Sequence, residues 1–402
     1  MMRIKVSSFK EIYVYLFMIF IITKVWRAFS GSEEHGGIWN YIQVFYVLIG
    51  IVVFLKFINS IKREPALILL SVYSMFALTI SVLSVKNFNT TSLFELIKIP
   101  FAGAIAIVFY SYGYRKETLE DHKIMIKATF YISAAILCYQ LGRYMLAGGI
   151  RSSGAGAVAD VYYILGLLPF ILAITEKKRQ IIPIVVTAVS IFISQKRAGF
   201  IALLGLIILY YLLGSGREKR MRNTVGRVLV LLLLLLGGYY LMIYMDSKFN
   251  LNLFLRMRML ETDGGSGRSV IWGYVSDGIK KSKTMHLIFG HGINGVKNLV
   301  GTHAHNDFLE IIYNYGIIAL GLYVSFFFLQ IKNAVRMIKE GYSHSAEFIA
   351  SLFVSLCIAV FSYYVIDATY VICGCFTQVI FLADWRNSRL QSQNNIDSTR
   401  IP

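Results

Sequence analysis

Residues 11–25 read EIYVYLFMIFIITKV. From Ile12 to Thr23 no charged side chain interrupts the run. It also lacks the small-residue cleavage site of a signal peptide, so it reads as a retained first helix. Apolar runs of about 15–22 residues recur from here to the end, each followed by a short polar break. The chain of 402 residues is 56% hydrophobic with five prolines, and its mean hydropathy is +0.62. In lipid, backbone polar groups find partners only inside helices or closed barrels. Strand-like alternation is missing, so the expected fold is all-α: a polytopic membrane protein of about twelve transmembrane helices.

The helices are predicted near residues 10–26, 38–57, 66–84, 93–112, 125–146, 157–175, 180–194, 199–213, 227–245, 308–330, 346–365 and 369–385. Pro65 suits a first helical turn, whereas Pro100 and Pro169 fall inside helices, where a missing N–H favours a kink. The run LVLLLLLLGG at 229–238 is lipid-facing leucine, and no internal repeat is seen. The chain thus divides into helices 1–9 over residues 1–245, a loop at 246–304, helices 10–12 over 305–386 and a tail at 387–402.

The net charge of +18 could suggest nucleic acid. Its distribution says otherwise. With both termini cytoplasmic, 24 of the 40 Lys and Arg fall in the inner segments, as orientation by positive charge requires. Nucleic acid is therefore not an expected partner. Cys138, Cys357, Cys373 and Cys375 all lie in apolar runs, which argues against disulfides or a zinc site. The assignment puts the one long loop, 246–304, on the outer side. Loops of that length are functional or disordered; Trp272, Tyr274 and a helical apolar period predict order against the membrane.

Three pieces could carry chemistry. In IFISQKRAGFIALLGL the apolar stretch from Ile181 to Ser194 supplies only about 21 Å of helix, against a bilayer core near 30 Å. Lys196 and Arg197 should then lie below the outer surface. Either both side chains snorkel to headgroups, or they seat a phosphate-bearing anion, with Arg197 as bidentate donor. In DGGSGRSVIWGYV, glycines around Arg268 free backbone N–H groups and a helix is expected to start just after Ser269. Such a terminus beside an arginine suits phosphate.

The third piece is GTHAHNDFLEIIYNYGIIALGLYV, residues 301–324. It sets His303, His305, Asn306, Asp307 and Glu310 at the mouth of an apolar segment, with Tyr313 a turn later. Two histidines two apart lack the further ligands of a metal set. His305 is either a hydrogen-bonded loop residue or a general base at the membrane edge, with Asn306 as helix N-cap or orienter.

Together and in this order, SQKRAGFIAL, GSGRSVIWGYVSDGI…IFGHGING and HAHNDFLEIIYNYGIIALG resemble the O-antigen ligase/polymerase family of bacterial envelope glycosyltransferases. The likeness spans residues 190–325 and the helical layout; the first 150 residues carry no matching motif. It implies a GT-C-like architecture in the inner membrane and glycan transfer from undecaprenyl diphosphate at the periplasmic face, with no metal and no other cofactor. By this resemblance Arg197 and Arg268 hold the diphosphate and His305 activates the acceptor hydroxyl. Lys196, His303, Asn306, Glu310, Trp272 and Tyr313 are then candidates for binding substrate. Expected partners are undecaprenyl-diphosphate-linked oligosaccharides and membrane lipids, with a chain-length regulator and a flippase. The ligase pattern places Gly, Thr or Tyr four residues after the glycine of the third motif. Here Gly316 is followed by Leu320 in that place and Gly321 one later, which favours polymerase over ligase.

Two other classes make different demands on the sequence. A transporter favours repeated halves and charges at the midplane. A metal-dependent transferase would use outer carboxylates, for which SGSEEHGG offers Glu33, Glu34 and His35.

Overall fold

The computed structural model describes residues 6–27, 64–85, 123–146, 161–194, 196–213, 267–362 and 378–390, with isolated positions elsewhere. Among the described residues every regular element is helical. They are α1 (Val6–Arg27), α2 (Pro65–Ser84), α3 (Lys123–Leu146), α4 (Val161–Ala173), α5 (Ile181–Ser194), α6 (Arg197–Leu213), α7 (Arg268–Lys281), α8 (Thr284–Phe289), α9 (Gly295–Val300), α10 (Asp307–Lys339), α11 (Ser345–Phe361) and α12 (378–390). A 3₁₀ turn, Lys177–Arg179, joins α4 to α5. Within the expected helices 38–57, 93–112 and 227–245 only scattered positions are described, and nearly all of them are helical. Glu33, Glu34, His35, Pro100, Cys373 and Cys375 lie outside the described residues.

Helix α4 is the centre. All of Val161–Leu172 is buried, as befits a helix apolar on every side. Its neighbours are α3, α5, α6 and α11. Helix α1 turns Tyr13, Phe17, Ile21 and Val25 inward against α3. A second broad contact joins α6 to α11 and a third joins α2 to α10.

Helices α2 and α10 are long and apolar enough to cross a bilayer. Each keeps an apolar stripe outside: Ile68, Val72, Met75 and Val82 on one, Ile317, Val324, Phe328, Ile331 and Val335 on the other. Water would penalise so much exposed apolar surface, and lipid does not. The helical architecture with these apolar helices fits a polytopic membrane protein.

The structure corrects three expected boundaries. The tenth helix runs on to Lys339 and is broken at Gly316 (φ 80°, ψ −178°). The eleventh ends at Phe361 instead of 365. Helix α7 begins at Arg268, behind a left-handed Gly267 (φ 76°), two residues before the expected start.

The break at Gly316 has a visible cause. An unbroken helix would direct the N–H groups of residues 317 and 318 at the carbonyls of Tyr313 and Asn314. Instead His291 N–H donates to Tyr313 O (2.9 Å) and Gly292 N–H to Asn314 O (2.7 Å). Val296 N–H takes the Asn314 side-chain oxygen at 2.9 Å. The motif IFGHGING thus closes against the helix, and its glycines allow the approach. A Cβ on Gly290 would sit 2.2 Å from Asn314 O, and one on Gly316 would sit 2.1 Å from Ile288 O. The rings of His286, His291 and Tyr313 stack beside this seam, with centroids 4.4 Å and 4.3 Å apart.

Helices α7, α8 and α9 therefore form an ordered layer with a small core of its own, built on Val275, Val296, Ala304 and Tyr313. This is the long loop of the sequence, and its described part, from Gly267 onward, is helical or tightly turned.

At the other end of α10, basic residues gather. Glu64, 1% exposed, accepts from Arg386 Nε at 2.9 Å and from Asn333 Nδ2 at 3.2 Å, tying α2, α10 and α12 together. Replacing Arg386 by Ala strands the buried carboxylate and should cost about 3 kcal/mol. The pair Arg386→Ala with Glu64→Gln should recover much of it, because no uncompensated charge remains. Thermal unfolding in detergent would check both.

Candidate functional site

The site lies where the N-terminal ends of α6, α7 and α10 meet the C-terminal end of α11. Helix α5 ends in a buried Ser194 whose hydroxyl returns to Ile191 O at 2.8 Å. The chain reverses at Lys196, whose carbonyl accepts from Gly199 N–H at 2.9 Å to open α6. Lys196 is half-buried. Arg197 is the first residue of α6; its side chain is not among the described atoms.

Arg268 is the first residue of α7 and donates from Nη1 to Phe361 O at 2.7 Å. Asn306 Nδ2 donates to the neighbouring Val360 O at 3.1 Å. The last carbonyls of α11 lack helical partners, so a cation and an amide hold the negative end of that helix. One N–H of the Arg268 guanidinium is committed there.

Helix α10 starts on Asn306, whose side-chain oxygen accepts from Leu309 N–H at 3.1 Å. The expected N-cap is realised. Just before it, His305 sits at φ 53°, a left-handed conformation uncommon for a residue with a side chain. Glu310, on the first turn of α10, is fully buried. Its Oε1 accepts from His303 Nδ1 at 2.7 Å, and its Oε2 from Ala304 N–H at 2.7 Å. Trp272 Nε1 donates to Ala304 O at 2.7 Å. Asp307, also buried, accepts from Tyr323 OH at 2.7 Å.

Electrostatics bind the pieces together. The His305 imidazole is held down at about 4, first by burial and then by the charges of Arg268, Lys196 and His303. All three therefore act on one ring, although they come from separate parts of the chain. At neutral pH that ring is uncharged and can accept a proton. A bound anion would relieve the repulsion from the two cations.

Of the residues singled out in the sequence, Lys196, Arg268, His303 and His305 converge. Asn306, Glu310 and Trp272 stand beside them with polar atoms bonded to the protein's own backbone. Tyr313 faces the His291 ring. Sequence reasoning missed Phe361 and Val360, which contribute only carbonyls, and Ala304, whose backbone is gripped on both sides. A carbonyl carries no side-chain signal, so nothing in the sequence marks them.

Residues 182–324 match the model of a family described as O-antigen ligase. The matched segment begins in α5, includes the α5–α6 turn and the whole α7–α9 layer, and ends within α10. No curated protein matches the chain. The match covers about a third of the chain and supports a relation to the O-antigen ligase/polymerase family. Together with the apolar helices it suggests an integral membrane protein.

Proposed function

We propose, on the footing of that family relation, that the protein is a polysaccharide polymerase at the periplasmic face of the bacterial inner membrane. It joins undecaprenyl-diphosphate-linked repeat units of O-antigen, capsule or a related surface glycan. The observation that carries this reading is the convergence of Lys196 and Arg268 on His305 at one end of the helical bundle. The basic residues at the C-terminal end of α10 support reading the other end as cytoplasmic. In this reading about twelve helices cross the membrane, both termini are cytoplasmic, and a chain-length regulator and flippase work alongside.

The chemistry needs no external energy, because the sugar arrives activated by its diphosphate. The acceptor hydroxyl oxygen bonds to the anomeric carbon as the bond from that carbon to the diphosphate oxygen breaks. The hydroxyl proton passes to the neutral His305 imidazole. Undecaprenyl diphosphate departs with the bonding electron pair, and Arg268, Lys196 and Arg197 hold its growing charge. Donors fixed in advance in a dry site stabilise such charge more than water does. Holding two membrane-bound substrates side by side supplies much of the rest. The reaction so drawn requires neither nucleotide nor metal.

In cells lacking their own copy of the gene, Arg268→Ala should leave surface glycan with at most one repeat unit, as seen on gels. Ladders of full length would defeat the proposal. The description of the matched family favours a second reading, a ligase that moves finished glycan to lipid A-core. Under it, the same cells would accumulate lipid-linked polymer.

A further inference from the structure

The residue before His305 is fixed through both of its backbone polar atoms. Ala304 is fully buried in the small core beneath α7. Its carbonyl accepts from Trp272 Nε1 at 2.7 Å, and its N–H donates to Glu310 Oε2 at 2.7 Å. Both polar atoms of one residue are thus fixed, one by α7 and the other by α10. The other Glu310 oxygen is fixed too, on His303 Nδ1 at 2.7 Å.

The two clamps differ in what they tie together. Trp272 is four residues after Arg268, on the same face of the same helix. Its bond to Ala304 therefore sets how far the Arg268 end of α7 stands from His305. Glu310 sets the height of the same loop above α10. His305 needs such support, since its φ of 53° is a conformation that persists when the surroundings over-determine it.

We propose that Trp272 and Glu310 are positioning residues, which act through Ala304 to hold His305 in register with Arg268. This rests on the transferase reading above and deepens it. Trp272 is then no stacking platform for sugar, and Glu310 is no base.

The test uses the full-length protein in proteoliposomes, with a lipid-diphosphate-linked oligosaccharide as both donor and acceptor. Trp272→Phe keeps an aromatic ring in place and removes the indole N–H together with its five-membered ring. Its kcat should fall by about 10–100-fold, since a misplacement near 1 Å costs about that much, a larger effect than any rise in donor KM from the displaced Arg268. Glu310→Gln, which cannot accept from both His303 and Ala304, should show the same split. A raised KM with kcat unchanged in Trp272→Phe would make Trp272 a substrate contact and overturn the inference. So would unchanged kinetics in both variants.

Titration of His305 by NMR supplies a readout that does not depend on turnover. The groups facing that ring are Arg268 from α7, Lys196 from the α5–α6 turn and His303 beside it. If Trp272→Phe frees Arg268 to retreat, the midpoint should rise above about 4 by the part that Arg268 supplies, while burial, the largest cause, still holds it below 6.5. A midpoint that stays put sinks the inference. An unaltered protein that transfers no glycan sinks the function reading instead, and leaves the titration to decide the role of Trp272.

Discussion

Transfer by the His305→Ala protein should fall by about 10²–10⁴-fold, the contribution of a well-placed proton acceptor. Donor binding should change little, because Arg268 and Lys196 remain. The pH profile carries a sharper expectation. The His305 imidazole is held at about 4 by burial, Arg268, Lys196 and His303, so its proton-accepting form persists well below neutrality. The quantity kcat/KM reports the free protein. It should stay level as pH falls from 7 and drop only on approaching about 4.

The acid limb of kcat reports the substrate complex and should lie higher. A bound diphosphate offsets the two cations, which makes imidazolium easier to form. Rates in proteoliposomes across this range would check both limbs. An acid limb of kcat/KM near 6.5 would mean that the ring is neither buried nor faced by Arg268 and Lys196. Full activity in His305→Ala would remove it from the chemistry.

The second large effect concerns the seam between the outer layer and α10. Gly316→Ala places a Cβ 2.1 Å from Ile288 O, and Gly290→Ala places one 2.2 Å from Asn314 O. Both meet backbone, which cannot rotate away. Both glycines also lie at φ 80° with ψ near 180°, a region essentially closed to other residues and costing them about 1–3 kcal/mol. To relieve the clash, residues 288–292 must lift from 313–316 and give up the two hydrogen bonds of the seam. The total cost should exceed about 3 kcal/mol. Hydrogen exchange across residues 284–300 should speed up, and transfer should fall with it because α7 carries Arg268. Gly321→Ala, where a Cβ meets nothing within 4 Å, should leave stability unchanged or raise it by up to about 1 kcal/mol, since alanine is the better helix former. If all three variants behave alike, the seam has no special role.

Much of this was written in the sequence, and the exceptions have physical causes. Apolar runs announced the helices, since their length and composition follow from bulk transfer energies. Asn306 was readable as an N-cap because a cap depends only on residues three positions away. The α5–α6 turn was readable because Ile181–Ser194 is too short for the bilayer.

The break at Gly316 was not. The run IIYNYGIIALG keeps its apolar character through the glycine, so periodicity continues where the backbone does not. What breaks the helix is a pair of N–H groups about 25 residues earlier, at His291 and Gly292. The clamp on Ala304 was hidden for the same reason, since its partners are backbone atoms of an unremarkable residue. Trp272 and Glu310 were singled out in the sequence, but as groups facing substrate. Their polar atoms turn inward because a buried indole N–H or carboxylate needs a partner.

The hydrogen bonds from His291 and Gly292 to α10 also define what can be exchanged between this chain and a relative. A graft that swaps only the loop at 246–304 would part donors from acceptors at the join. The transplantable cassette instead runs from Gly267 through Gly316, with both halves of the interlock from one parent. Chimeras cut downstream of Gly316 should fold and take on the donor's sugar preference, while those cut at the start of α10 should emerge unfolded or silent.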